Sequence, residues 1–264
     1  MTAEIAVFNK SAVALAADSA VTISGEDGVS KIYNGADKLF ALSKHHPVGV
    51  MIFGSADLCG IPWEMIIKQF RKNLTDRSHD TIEKYAEEFF QFLCTSENII
   101  PSDVRENNLL DIYNNRFFPA FINMVEEKRI KPLIDQFGQK PSTLDTYKII
   151  EEEANSMLID LASEPFFVGF SEHDIEEIIR FVFPIAKDTC DEKLFQEPEV
   201  EIPQSLYQVI GALFATITCK RSNFGRNTGV VFAGYGDEEF MPAVLAYDVC
   251  LLYTSPSPRD RQKS

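Results

Sequence analysis

Val50-Met51-Ile52-Phe53-Gly54-Ser55-Ala56-Asp57 is the stretch on which the reading of this chain turns. Apolar residues run into a glycine followed by small and acidic residues. A short apolar run closed by such a pair predicts a buried strand ending in a tight turn. Working back toward the start, three more runs of the same kind appear: Ile5-Ala6-Val7-Phe8, then Ala12-Val13-Ala14-Leu15-Ala16-Ala17, then Leu39-Phe40 after Ala36-Asp37-Lys38. Each lies beside a residue able to do chemistry. Thr2 follows the initiator Met1, Asp18-Ser19 closes the second run, and Lys38 opens the third.

Thr2, Ala17-Asp18-Ser19, Lys38-Leu39-Phe40 and Gly54-Ser55-Ala56-Asp57, in this order, resemble the N-terminal half of β-type proteasome subunits and their bacterial peptidase relatives, the N-terminal-nucleophile hydrolases. The resemblance resumes at Thr228-Gly229-Val230-Val231-Phe232-Ala233-Gly234-Tyr235-Gly236 and at Pro242 to Asp248, and residues 58 to 227 match only through the first helix. It implies an α+β fold, the four-layer αββα sandwich of the proteasome type, interrupted by a helical insertion. On that reading residues 1–93 begin the core, 94–220 form the insertion, 221–249 resume a truncated core, and 250–264 are a non-native tail.

The resemblance implies a threonine-type peptidase or amidohydrolase with catalytic residues Thr2, Asp18, Lys38 and Gly54. A threonine hydroxyl of ordinary acidity needs a base within reach, and the α-amine of the same residue supplies one once Met1 is removed. That amine titrates near ~8, close to working pH. Lys38 would ease deprotonation of the hydroxyl and stabilise developing negative charge, and Asp18 would hold its ammonium. Lys31 is the competing lysine; Lys38 matches better because it runs directly into the next hairpin. Gly54 would offer its amide to the oxyanion, aided by the positive end of the following helix. Ala20 and Thr22 match positions that pair with substrate backbone as an added strand. Ile52 and Ala56 match positions lining a specificity pocket, implying an apolar or medium-sized side chain. The implied partners are a peptide or protein substrate, a homo-oligomer and an ATPase, with no cofactor and no metal. The alternative is a catalytically inactive ring or scaffold subunit; a small amide is the alternative substrate.

Composition narrows the classes. The chain of 264 residues is long enough for one sizeable core with an insertion. Its formal net charge of −15 argues against nucleic acid as a partner, since phosphate contacts need clustered Lys and Arg. The five cysteines show no C-x-x-C and no metal-ligand spacing, which fits free thiols in a reducing, cytoplasmic setting. No run approaches the roughly 18 apolar residues of a membrane span. Glu4 and Asn9-Lys10 make a hairpin a better reading of the first run than a signal peptide.

Cys250-Leu251-Leu252-Tyr253-Thr254-Ser255-Pro256-Ser257-Pro258-Arg259-Asp260 reads as a translated sequencing adaptor, so the natural frame is expected to leave the protein near Val249. The alternative is a disordered Pro/Ser-rich basic tail.

Helical periodicity accounts for most of the remainder. A first helix is expected to start from Ser55 or Asp57 and run through Phe70, with Ile61, Met65, Ile66 and Phe70 on one face. A second covers Asp80 to Leu93. Leu109 to Lys128 carries Leu110, Tyr113, Phe117, Phe121 and Met124, with a break or kink expected at Pro119. Thr143 to Leu161, Asp174 to about Ala186 behind a Ser171 cap, and the strongly apolar Ser205 to Thr218 are further helices, and Glu192 to Pro203 reads as a linker. His45-His46 read as solvated turn residues, and His173 with Asp174, Glu176 and Glu177 as an acidic helix start rather than a metal site.

Overall fold

The computed structural model of the protein describes residues 4–18, 20–24, 30–34, 37–167, 170–194, 197, 199–220 and 228–249. It is a mixed α+β fold with antiparallel sheets. The chain divides into two compact units. Among the described residues one holds everything up to Arg105 together with 228–249, and the other runs from Glu106 to Lys220.

In the first unit, strands β1 (Glu4–Phe8) and β2 (Val13–Ala17) form a hairpin. Its turn is closed by Asn9, whose Oδ1 accepts from the Ser11 and Ala12 amides at 2.8 and 3.1 Å. A second hairpin joins β3 (Ala20–Ser24) to β4 (Ser30–Asn34), the latter a strand that the sequence reading does not anticipate. Strands β5 (Leu39–Ala41) and β6 (Val48–Gly54) then enter a four-stranded antiparallel sheet with β9 (Thr228–Gly234) and β10 (Ala243–Val249), in the order β10-β9-β6-β5.

Alternation along β6 decides what each face does. Val48, Val50 and Ile52, joined by Val230 and Phe232 of β9, share a core with helices α1 (Trp63–Leu74) and α2 (Ile82–Thr95). Phe89 is its centre, with Trp63, Phe70 and Phe232 rings at 6.5, 5.1 and 5.5 Å. Gly49 and Met51 fall on the other face, where Leu15 of β2 comes within 3.6 Å of where a Gly49 Cβ would sit.

Helix α1 starts later than the sequence suggests. Two short strands, β7 (Asp57–Leu58) and β8 (Ile61–Pro62), come first, turned by Cys59 at φ 53° and Gly60 at φ 78°. The buried face of α1 is therefore Trp63, Ile66, Ile67, Phe70 and Leu74, while Met65 is exposed. Helix α2 begins behind Thr81, whose Oγ1 accepts the Lys84 amide. Its carbonyl end is covered by buried Arg105, which donates to Leu93, Cys94 and Ile100 carbonyls at 3.0, 3.0 and 2.9 Å.

The second unit is helical; between residues 95 and 200 the described residues hold one isolated bridge, Phe166 with Lys220, and no strand of a sheet. The expected break at Pro119 is absent. Helical structure runs on from α3 (Ser102–Asp111), which contains the unit boundary, through α4 (Phe118–Val125) to α5 (Lys131–Phe137), joined by π-helical turns at Ile112–Phe117 and Glu126–Ile130. The Phe118 amide donates to the Tyr113 carbonyl and the Lys131 amide to that of Glu126, five residues back in each case. A proline follows each of these amides, at Pro119 and Pro132. The apolar pattern favours the wider turn too. Leu109, Tyr113, Phe117, Phe121 and Val125 are all buried at intervals of four, which in a pure α-helix would drift about 40° per step off the core.

Helix α6 (Thr143–Ala162) is capped by Ser142, and α7 (Glu172–Lys193) by a box in which the Ser171 amide donates to Asp174 Oδ2 at 2.8 Å. Helix α7 continues through Pro184, past the expected end at Ala186. Both pack on α8 (Gln204–Cys219), which is buried from Leu206 to Cys219 except at exposed Gln208 and half-buried Ala212. Phe214 of α8 stacks on Tyr113 at 4.3 Å and meets Phe117 and Phe118 edge-on.

Candidate active site

Asp18 directly follows β2 and Lys38 directly precedes β5, so both sit where a strand's pairing stops and a side chain can turn inward. Lys38 Nζ donates to Asp18 Oδ1 at 2.6 Å. The lysine side chain is 11% exposed and the aspartate 31%. The pair is thus partly withdrawn from water, where a charge-assisted bond is stronger than at an open surface. Lys38 is also tied to β6, because its carbonyl accepts the Ile52 amide at 2.8 Å. Gly54 ends that same strand, two residues on, at φ 88°, which glycine adopts without a Cβ clash.

The sequence-derived roles meet this geometry unevenly. Asp18 and Lys38 are brought together, and Gly54 is held on the strand that Lys38 contacts. Thr2 lies outside the described residues; the nearest described register sets Glu4 opposite Ala17, the neighbour of Asp18. Ala20 and Thr22 are on β3, paired with Asn34 and Ile32, and their side chains lie outside the described residues. Ile52 is 4% exposed and packs in the helix-side core, whereas Ala56 is exposed beyond the end of the strand. Along the chain the β7–β8 hairpin stands between Gly54 and α1, so the helix does not follow the glycine directly as expected.

The turn after Gly54 has its own bonds. Ala56 offers its carbonyl to the Trp63 amide at 3.2 Å, and Asp57 Oδ1 accepts the Gly60 amide at 3.2 Å. Burial pushes the thiol of Cys59, in the same turn, up to about 11. A cavity of about 640 Å³ opens between β2, β5 and β6, lined by Leu15, Leu39, Phe40, Gly49 and Val50 among others.

Among the described residues no cluster of three or more His, Cys, Asp or Glu is placed to hold a metal ion. His46 Nε2 lies 3.1 Å from the Asp76 carbonyl, and His173 pairs with Glu177 on an exposed helix face. No helix among the described residues is long and apolar enough to cross a membrane.

Two features of the site had no local signal in the sequence: the Ile52–Lys38 backbone bond and the seating of Phe53 on Gly229 of β9. Both depend on strand register, which residue identity alone does not reveal. Comparison of the chain with family models, curated proteins and solved structures gives no match.

Proposed function

We propose that the protein is an N-terminal threonine hydrolase, a threonine-type peptidase on a proteasome-like αββα core, acting as a homo-oligomer in the cytoplasm. The observation that carries this reading is the Lys38–Asp18 pair at 2.6 Å, with Lys38 bonded through its backbone to the strand that ends at Gly54. The Glu4–Ala17 register adds support, because two residues of chain reach no more than about 7 Å from Glu4 to Thr2.

In this reading the Thr2 hydroxyl loses its proton to its own α-amine as its oxygen bonds to the substrate carbonyl carbon. The Gly54 amide donates to the oxyanion, and the Lys38 ammonium favours the charged states on the path. The α-ammonium returns the proton to the leaving amine as the peptide C–N bond breaks, leaving an ester on Thr2. Water, deprotonated by the same amine, then attacks the ester and regenerates the hydroxyl.

The test is intact-mass and N-terminal peptide analysis, followed by reaction with a peptide boronate and assay on peptide substrates. Loss of Met1, an adduct on Thr2 and peptide cleavage are expected. Active protein that retains Met1 sinks the mechanism, since the base would be displaced from its nucleophile. A free Thr2 without adduct or cleavage points to a non-catalytic ring or scaffold subunit. Cleavage of small amides but not peptides narrows the substrate class.

A further inference from the structure

Phe53 of β6 stands opposite Gly229 of β9 in the sheet register, and the far edge of the Phe53 ring fills the space that a Cβ on Gly229 would need. Val48, Val50 and Ile52 point to the helix-side core, so Phe53 lies on the other face of the sheet. Its ring crosses the partner strand there at the one residue type with no side chain to displace it.

Phe53 immediately precedes Gly54, and the peptide plane between them carries the Gly54 amide. That plane is rigid, so the direction of the N–H follows the backbone of Phe53 and the φ of Gly54. Gly54 itself is exposed and stands at the last paired position of β6, opposite Thr228, which is 1% exposed. Glycine left alone at a strand end has many accessible φ values. Pairing with β9 and the seating of the ring together restrict the residue before it.

We propose that Phe53, seated on Gly229, is a positioning residue that aims the Gly54 amide at the reacting carbonyl. This rests on the hydrolase reading above, in which Gly54 is the oxyanion donor. The ring touches no substrate; it acts through the peptide plane.

Gly229→Ala pushes the ring off its seat, and Phe53→Leu removes the ring without crowding β9. Val231→Ala, a buried position on the same strand, is the control for lost packing. Both test variants are expected to lower kcat by about 10–100-fold with KM within about twofold, because the lost interaction is one made with the transition state. The double variant should be no slower than the worse single. The residual dipolar coupling of the Gly54 N–H should change in both, and in the control it should not. A loss of kcat that merely tracks thermal stability across all three variants overturns the proposal, as does an unchanged Gly54 coupling in Phe53→Leu. If the wild-type protein hydrolyses nothing, the hydrolase reading falls by itself, and the Gly54 coupling still decides whether the ring orients the amide.

Discussion

Lys38 Nζ and Asp18 Oδ1 lie 2.6 Å apart, and they join two sheets that share no ladder: Asp18 leaves the β1–β2 hairpin, and Lys38 enters the four-stranded sheet. The pair therefore has a structural role as well as the proposed catalytic one.

Asp18→Asn and Lys38→Ala are each expected to cost about 1–3 kcal/mol in chemical denaturation. A fully buried pair loses more, and the partial exposure of Asp18 brings the figure down. Both variants should abolish hydrolysis while the far-ultraviolet dichroism stays native. Lys31→Ala, on β4, should keep activity; the opposite result would put the wrong lysine in the site.

Glu153 of α6 gives the helical unit a sensitivity to acid. Its carboxylate, 6% exposed, accepts from Lys128 at 2.8 Å and Arg129 at 2.6 Å. The hydrogen bond from Lys128, reinforced by that from Arg129, holds its pKa below the ordinary carboxylate value despite burial. A carboxyl lowered on folding stabilises the protein above its unfolded pKa, and that contribution is lost as pH falls through the folded value. Denaturation midpoints should therefore drop from pH 6 to pH 3, and Glu153→Gln should be less stable at pH 6 but show a shallower decline.

Thiol chemistry should separate the cysteines of the described residues. Burial pushes Cys190 and Cys219 up to about 12, so at pH 8 both stay almost wholly as thiols. Cys94 is exposed. Iodoacetamide on the native protein should modify Cys94 first and leave Cys190 and Cys219 free until denaturant is added, as peptide mass mapping would show. Early labelling of Cys190 contradicts the packing of α7.

Phe214→Ala should cost about 3–5 kcal/mol, because it removes a fully buried ring held between Tyr113, Phe117 and Phe118. Tyr113 loses its stacking partner in the same change. Its hydroxyl bond to Thr218 Oγ1 at 2.5 Å should survive, so near-ultraviolet dichroism should weaken without loss of helix content.

The periodic parts of this fold were legible. Apolar runs locate β1, β2, β5 and β6, and helical spacing locates α2, α6 and α8, because burial of one face leaves its period in the sequence; β9 and β10 were expected from the family resemblance alone. The start of α1 was not legible: Ser55 and Asp57 are ordinary caps, and the left-handed Cys59 that forces a hairpin ahead of the helix is an unusual conformation for that residue. β4 escaped because Ser30-Lys31-Ile32-Tyr33-Asn34 shows no clear alternation. At the site, residues 18 and 38 were picked by resemblance to a family motif; their contact is a product of tertiary packing that no local pattern encodes. Ile52, for which the resemblance implies a pocket role, sits on the helix-side phase of β6, which only the register of the sheet makes plain.

The two π turns also make the long helix tolerant of a change in length. Each holds one residue more than the α-helical path would, with Phe118 and Lys131 reaching back five residues to Tyr113 and Glu126. Removing exposed Asn115 would let Ile112–Phe117 wind as ordinary α-helix, and the rings at Phe118 and Phe121 would keep their direction relative to Leu109. Pro119 would then need replacing, since its ring would meet a carbonyl four residues back. The same one-residue deletion in the middle of α6 has no such slack: everything after it would swing by about 100°, carrying Ala154 and Leu161 out of the core. Single-residue deletions in this protein are therefore sorted by helix type, absorbed at the π turns once the following proline is replaced and ruinous where the ladder is tight.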